Sequence, residues 1–201
     1  VKKNTRIQSE NTQRVLAAAL DVFSAHGLRG STVDQIADSA GMSKANILYY
    51  FRRKQDMYVA VLQQTIEDWL TPLEALDPNG DPQEELWRYT KAKLQMSRNA
   101  PAASKLFANE IISGAPMIGD YLQNELRELV DHKCVIIQQW IDDGLLAPIN
   151  PLHLLFFIWS TTQHYADFTP QIEALFDGDT NTLYKDAEAS LEQLLIKGLT
   201  V

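Results

Sequence analysis

Residues 31–54 of this chain read Ser-Thr-Val-Asp-Gln-Ile-Ala-Asp-Ser-Ala-Gly-Met-Ser-Lys-Ala-Asn-Ile-Leu-Tyr-Tyr-Phe-Arg-Arg-Lys. The pattern predicts two short helices broken at Gly41. Thr32 can cap the first helix, and Gln35 completes a Thr-x-x-Gln capping box. Ile36, Ala37 and Ala40 then share one side. Gly41 stands where a helix C-terminus favours a residue free to take positive φ. Ser43 can cap the second helix, with Ile47, Leu48 and Phe51 expected inward. Its other side carries Lys44, Asn46, Tyr49 and Tyr50, a cation, an amide and two phenols able to bond phosphates or base edges. Such a helix can lie in a DNA major groove while its inner face holds a small core. Spacing alone also suits an ordinary helical hairpin with a polar face, and both readings stand on these residues.

Upstream, Leu16, Ala19, Leu20 and Phe23 follow i, i+3, i+4, i+7 and stop at Gly27, which predicts a third helix for the same module. The charge of the chain divides near this point. The whole sequence of 201 residues carries −8, a sign that disfavours nucleic acid as a partner. Residues 1–60 nevertheless hold nine Lys or Arg against five Asp or Glu, and the remainder holds nine against 21. A small basic module on an acidic body confines attraction for phosphate to one end. Lys2, Lys3 and Arg6 are expected to form either a flexible arm reaching DNA or a solvated tail.

Beyond residue 54 the pattern is helix after helix, without strand alternation. Helices are predicted near 54–76, 82–99, 101–113, 116–144, 151–168 and 180–198, so the fold is expected to be all-α with nine helices. The single cysteine, Cys134, excludes an internal disulfide and reads as a buried, reduced thiol of a cytoplasmic protein. No apolar run is long enough to cross a membrane, and no signal peptide precedes the first helix. The opening Val1 suggests that residues precede this sequence. His26, His132, His153 and His164 show no metal-ligand spacing, and there is neither a phosphate-cradling Gly loop nor a nucleophile elbow. No catalytic residue, metal or cofactor is therefore expected.

The helix over 151–168, Pro-Leu-His-Leu-Leu-Phe-Phe-Ile-Trp-Ser-Thr-Thr-Gln-His-Tyr-Ala-Asp-Phe, is apolar on nearly every stripe. A helix of that kind must be covered on all sides. Its own core on one face and a second subunit on the other would do so, with the 116–144 helix completing a two-fold bundle. The same helix is also compatible with the centre of a monomer. Trp159 and Gln163 are i, i+4 and share one face. An aromatic surface beside one carboxamide suits a flat imide or amide heterocycle, because Gln presents an acceptor and a donor side by side. Core packing with a satisfied amide is the competing reading.

The stretch Thr-Val-Asp-Gln-Ile-Ala-Asp-Ser-Ala-Gly-Met-Ser-Lys-Ala-Asn-Ile-Leu-Tyr-Tyr-Phe, with the helix before it, resembles the DNA-binding domain of the TetR family of bacterial regulators. The resemblance implies a helix-turn-helix domain over 1–53 and a helical effector-binding and dimerisation domain over 54–201. It implies a homodimer on double-stranded operator DNA, contacted by Thr32, Ser43, Lys44, Ala45, Asn46, Tyr49, Tyr50 and Lys54. One departure is Arg53, where the family usually has a capping Ser, Asn or Asp; Arg53 can contact phosphate instead. Asp68-Trp-Leu-Thr-Pro-Leu73, Ser113-Gly-Ala-Pro116, Leu146-Ala-Pro-Ile-Asn-Pro151 and the Trp159–Phe168 segment resemble the pyrimidine-utilisation subgroup, which senses uracil and thymine. That closer resemblance implies Trp69, Trp159 and Gln163 as effector-binding residues, with Leu73 and Phe107 as apolar walls. A different small planar or apolar effector is the alternative, and an enzyme or an effector-less architectural DNA-binder are the rival classes.

Overall fold

The computed structural model describes residues 2–200, without the side chains of residues 2–5 and 7. Among them every regular element is helical. The long elements are α1 (Lys2–Gly30), α2 (Val33–Ala40), α3 (Lys44–Tyr50), α4 (Lys54–Glu74), α5 (Pro82–Asn99) and α6 (Pro101–Ile112). They are followed by α7 (Gly119–Tyr121), α8 (Arg127–Asp142), α9 (Pro151–Asp167), α10 (Thr169–Leu175) and α11 (Thr180–Leu191). A π turn over Leu122–Leu126 joins α7 to α8, so one helical rod answers to the segment expected at 116–144. Helix α10 is the element that pattern reading left unassigned: seven residues between a break at Phe168 and Asp177-Gly178 are too few to show a period.

The chain forms two compact units, Val1–Ile66 with Lys105–Ile118, and Glu67–Ser104 with Gly119–Val201. In the first unit, α1 buries Val15, Ala18, Ala19, Val22 and Phe23, while Leu16 and Leu20 stand at the edge of that stripe. The buried face is thus turned by about one residue from the expected one, and its small side chains let α2 approach with Ile36, Ala37 and Ala40. Phe23 meets Tyr58 edge to face, ring centroids 5.1 Å apart. The Tyr58 hydroxyl donates to buried Glu110 at 3.1 Å, and burial, then the Glu110 charge, pushes this phenol up. Gly27, with φ +66, kinks α1 where its regular pattern was expected to stop. Arg6 lies within α1 and pairs with Glu10 at 2.9 Å, so it is part of a helix and not of an extended arm. The side chains of Lys2 and Lys3 lie outside the described residues.

In the second unit, α5 packs along α9, and α11 packs against α5. Asp81 and Asn150 cap α5 and α9, each with a proline in the first turn. Lys133 is buried on α8 and donates to the Glu74 carbonyl at 2.7 Å, supplying a cation to the C-terminal end of α4. Burial lowers the Lys133 ammonium, with Glu74 and Glu85 opposing. Helix α9 buries Leu154, Leu155, Ile158, Thr162 and Ala166 but exposes Leu152, Phe156 and Phe157 by 39%, 45% and 49%. The chain therefore covers one side of this helix and leaves an aromatic stripe on the other. Cys134 is half-buried instead of buried, and burial followed by the Asp131 charge pushes its thiol up.

Candidate functional site

The α2–α3 turn is built by short-range capping. The Thr32 hydroxyl accepts from the Gln35 N–H at 3.2 Å while Gln35 Oε1 accepts from the Thr32 N–H at 2.8 Å. Gly41 adopts φ +60 and its N–H bonds the Ala37 and Asp38 carbonyls, ending α2 in the left-handed conformation that glycine tolerates without a Cβ penalty. Arg14 donates to the Ala40 carbonyl at 2.7 Å, which places a cation at the same helix end. Ser43 caps α3 by accepting from the Asn46 N–H at 3.2 Å.

Helix α3 holds Ile47 inward, with Ser43, Lys44, Ala45, Asn46 and Tyr49 exposed. Leu48, expected inward, is 38% exposed and Phe51 only half-buried, because a helix of seven residues turns only Ile47 fully inward. Tyr50 is half-buried and tied to α1, its oxygen accepting from Asn11 at 3.0 Å. Tyr49 and Tyr50 meet edge to face at 5.2 Å. Lys44 pairs with Asp34 at 2.8 Å, both well exposed, so the ammonium can exchange this partner for a phosphate at little cost. Thr32 is exposed at the start of α2. Lys54 donates to the Ser31 carbonyl at 2.5 Å, which joins the first turn of α4 to the turn before α2.

Arg53 resolves its departure from the family pattern by reversing the cap. Its own N–H donates to Asp56 Oδ2 at 3.1 Å, and its guanidinium holds the same carboxylate at 2.7 Å. The acceptor of this cap is therefore three residues into the helix, where a carboxylate also suits the dipole. The Arg53 hydrogen bond keeps the Asp56 carboxyl below its ordinary range.

A second constellation lies wholly in the second unit. The Lys93 ammonium, 3% exposed, sits 4.1 Å from the centroid of the Trp69 ring. Burial pushes it down to about 7, with the Asp167 charge pulling the other way. Asp167 accepts from the Ser104 hydroxyl at 2.5 Å. Trp159 donates its indole N–H to the Tyr89 oxygen at 2.6 Å. Tyr89 and Lys93 are one turn apart on α5, while Trp159, Gln163 and Asp167 follow one another at single-turn spacing on α9. Gln163 thus lies on the helix face between a tryptophan and a carboxylate. It is half-buried, and its amide has no hydrogen-bond partner among the described residues. Leu73 is fully buried in the core. Phe107 is half-buried on the part of α6 that belongs to the first unit.

Two sequence models of known families match this chain. That for bacterial regulatory proteins of the tetR family covers residues 15–61, and that for the YcdC-like protein C-terminal region covers 62–201. The HTH-type transcriptional regulator RutR of Escherichia coli K12 is 41% identical over 199 residues, spanning 98% of this chain and 94% of that protein. The chain belongs to the TetR family. Solved structures share the fold at low identity. A tetR-family regulatory protein from Rhodococcus RHA1 is 18% identical with a TM-score of 0.73, covering 94% of this chain and 97% of that one. The ketosteroid transcriptional regulator KstR2 of Mycobacterium tuberculosis is 19% identical with a TM-score of 0.69, covering 94% and 95%.

As a TetR-family member, the chain is a ligand-responsive, DNA-binding transcriptional regulator and not an enzyme. Among the described residues no group of His, Cys, Asp and Glu could hold a metal ion, and no helix is long and apolar enough to cross a membrane. Sequence reading named Trp69, Trp159 and Gln163 but passed over Lys93, Tyr89 and Ser104. A signal was present: Lys93 interrupts the stripe Leu86, Tyr89, Thr90, Leu94 and Ser97, all buried on α5. A lysine on an otherwise inward face is a departure that demands a partner.

Proposed function

We propose that this TetR regulator is a cytoplasmic repressor released from operator DNA by a pyrimidine base such as uracil or thymine. The observation that carries this reading is the uncommitted Gln163 amide, flanked by Trp159 and Asp167 one turn to either side on α9. A pyrimidine edge pairs a C=O with an adjacent N–H, and a carboxamide matches both at once. Trp69 and Trp159 supply ring faces and Leu73 an apolar wall, while Phe107, which the resemblance also implies, lies in the first unit. The identity with RutR over nearly the whole chain supports the same effector class.

Residues 1–53 form the DNA-binding part and residues 54–201 the effector-binding and dimerisation part. Thr32, Ser43, Lys44, Ala45, Asn46, Tyr49, Tyr50 and Lys54 contact the operator, with α3 in the major groove. The exposed stripe of Leu152, Phe156 and Phe157 on α9, with exposed Val135 on α8, is the face that a second copy covers. Effector binding shifts α4, and ligand and operator then oppose each other by one coupling free energy, typically ~1–3 kcal/mol.

Calorimetry with uracil tests the effector assignment. Wild type binds uracil, and Gln163→Leu weakens it at least about tenfold by leaving the polar edge of the base unpaired. Equal uracil affinity of the two proteins, or no uracil binding by wild type, overturns the assignment.

A further inference from the structure

Helix α9 presents a different set of groups on its other side. Tyr165 follows Gln163 by two residues and so points roughly 200° away around the helix. It lines a cavity of about 190 Å³ bounded by the end of α5, the α9–α10 junction and the start of α11. An apolar void of roughly 150 Å³ is enough to hold benzene, so this one has room for a ring and one substituent.

The polar groups around it are short of partners. Tyr184, on α11, is 7% exposed and lines the cavity, yet its hydroxyl has no hydrogen-bond partner among the described residues. The oxygen is reached from the cavity, so it can donate to an acceptor placed there. The Tyr165 hydroxyl likewise has no hydrogen bond among the described residues, and the two rings lie 5.8 Å apart. Burial raises both phenols, which keeps them as O–H donors. Arg98 lines the same space with its guanidinium 5.4 Å from the Tyr184 ring centroid. It donates to the neutral Asn181 side chain and has no carboxylate partner among the described residues. Ile172 and Phe176 add apolar wall, and exposed Glu173 also lines the cavity.

We propose that this cavity is a second small-molecule site, separate from the one containing Gln163, that takes a monocarboxylate with a small apolar body. Arg98 pairs with the carboxylate, the Tyr165 and Tyr184 hydroxyls donate to it, and the Ile172–Phe176 side receives the hydrocarbon. Glu173 sets the charge limit: one negative charge is matched by Arg98, while a second meets a like charge.

The test is calorimetric titration of the full chain with benzoate and 3-methylbutanoate, each repeated with saturating uracil, and with benzamide and phthalate as controls. Saturable binding of a monocarboxylate is expected, undiminished by uracil or by Gln163→Leu, with benzamide and phthalate weaker. Arg98→Met weakens it by about tenfold or more through loss of a charge-assisted bond. Tyr184→Phe, which keeps ring and volume, weakens it by about threefold to tenfold. Should Arg98→Met lose its fold by circular dichroism, the Tyr184→Phe result decides. Absence of saturable binding for both carboxylates overturns the proposal. So does affinity unchanged in Tyr184→Phe, or binding that uracil displaces and Gln163→Leu abolishes. A chain that fails to bind uracil refutes the pyrimidine assignment alone and leaves this test intact.

Discussion

The α2–α3–α4 turns of the first unit and the Lys93 cluster of the second use polar side chains in opposite ways. In the first, the polar groups that shape the backbone are near neighbours in sequence: Thr32 with Gln35, Ser43 with Asn46, Arg53 with Asp56. They are exposed and hold turns in place, and the Lys44–Asp34 pair beside them is open to solvent. In the second unit, Trp69, Lys93, Ser104 and Asp167 come from four different helices, and the ammonium among them is almost wholly buried. Solvated ions cost little and exchange partners readily, which suits a surface meant for phosphate. A buried cation costs desolvation and is tolerated only where ring, carboxylate or ligand compensates it.

Five variants test this contrast. The largest effect is expected from Phe156→Glu in the second unit. An unpaired carboxylate on the face proposed for a second copy should convert the proposed dimer at micromolar concentration into monomer or insoluble protein, read by light scattering. In the first unit, the triple variant Lys44→Ala, Tyr49→Phe, Tyr50→Phe should lose about tenfold to a hundredfold in operator affinity while keeping its helical content. Lys44→Ala alone should lower the slope of log affinity against log salt by about one. Undiminished operator binding by the triple variant would detach α3 from DNA reading.

The Lys93 ammonium gives the second unit a pH signature. It titrates near about 7 in the folded chain against 10.5 for an ordinary lysine. Between those values the unfolded chain holds the proton and the folded chain releases it, so stability rises with pH across that window. Thermal unfolding of Lys93→Met should lack this rise, and an identical pH profile in variant and wild type would place the charge elsewhere. The smallest effect is Gly41→Ala. Forcing a Cβ into φ +60 should cost about 1–2 kcal/mol in urea unfolding.

Why the first unit was readable from sequence and the second only in part follows from the same contrast. A capping box, a left-handed glycine and a Ser cap are separated by three or four residues, so spacing alone reveals them. Even there, periodicity misplaced an edge by turning Leu48 inward, and the departure at Arg53 gave no sign that Asp56 supplies the cap's acceptor from within the helix. Helix number and order in the second unit followed from punctuation at Asp77–Gly80 and Asn150-Pro151, with only short α10 passing unnoticed. The pairing of Lys93 with Trp69, or of Ser104 with Asp167 across 63 residues, depends on how helices meet in space, which no local spacing encodes. Trp69, Trp159 and Gln163 stand as candidates from the family resemblance, the last two also from their i, i+4 spacing, and the groups around them emerge only through packing.

The central claim is that a base bound at Gln163 controls what α3 does on DNA. Its most direct measurement is fluorescence anisotropy of an operator fragment from the promoter the protein controls, titrated with uracil in wild type and in Gln163→Leu. Both proteins should bind the operator alike without ligand. Uracil should then weaken wild-type binding by about fivefold to 150-fold, the range of a typical allosteric coupling, and leave Gln163→Leu on the DNA. Release of both proteins at the same uracil concentration, or of neither, would contradict the account.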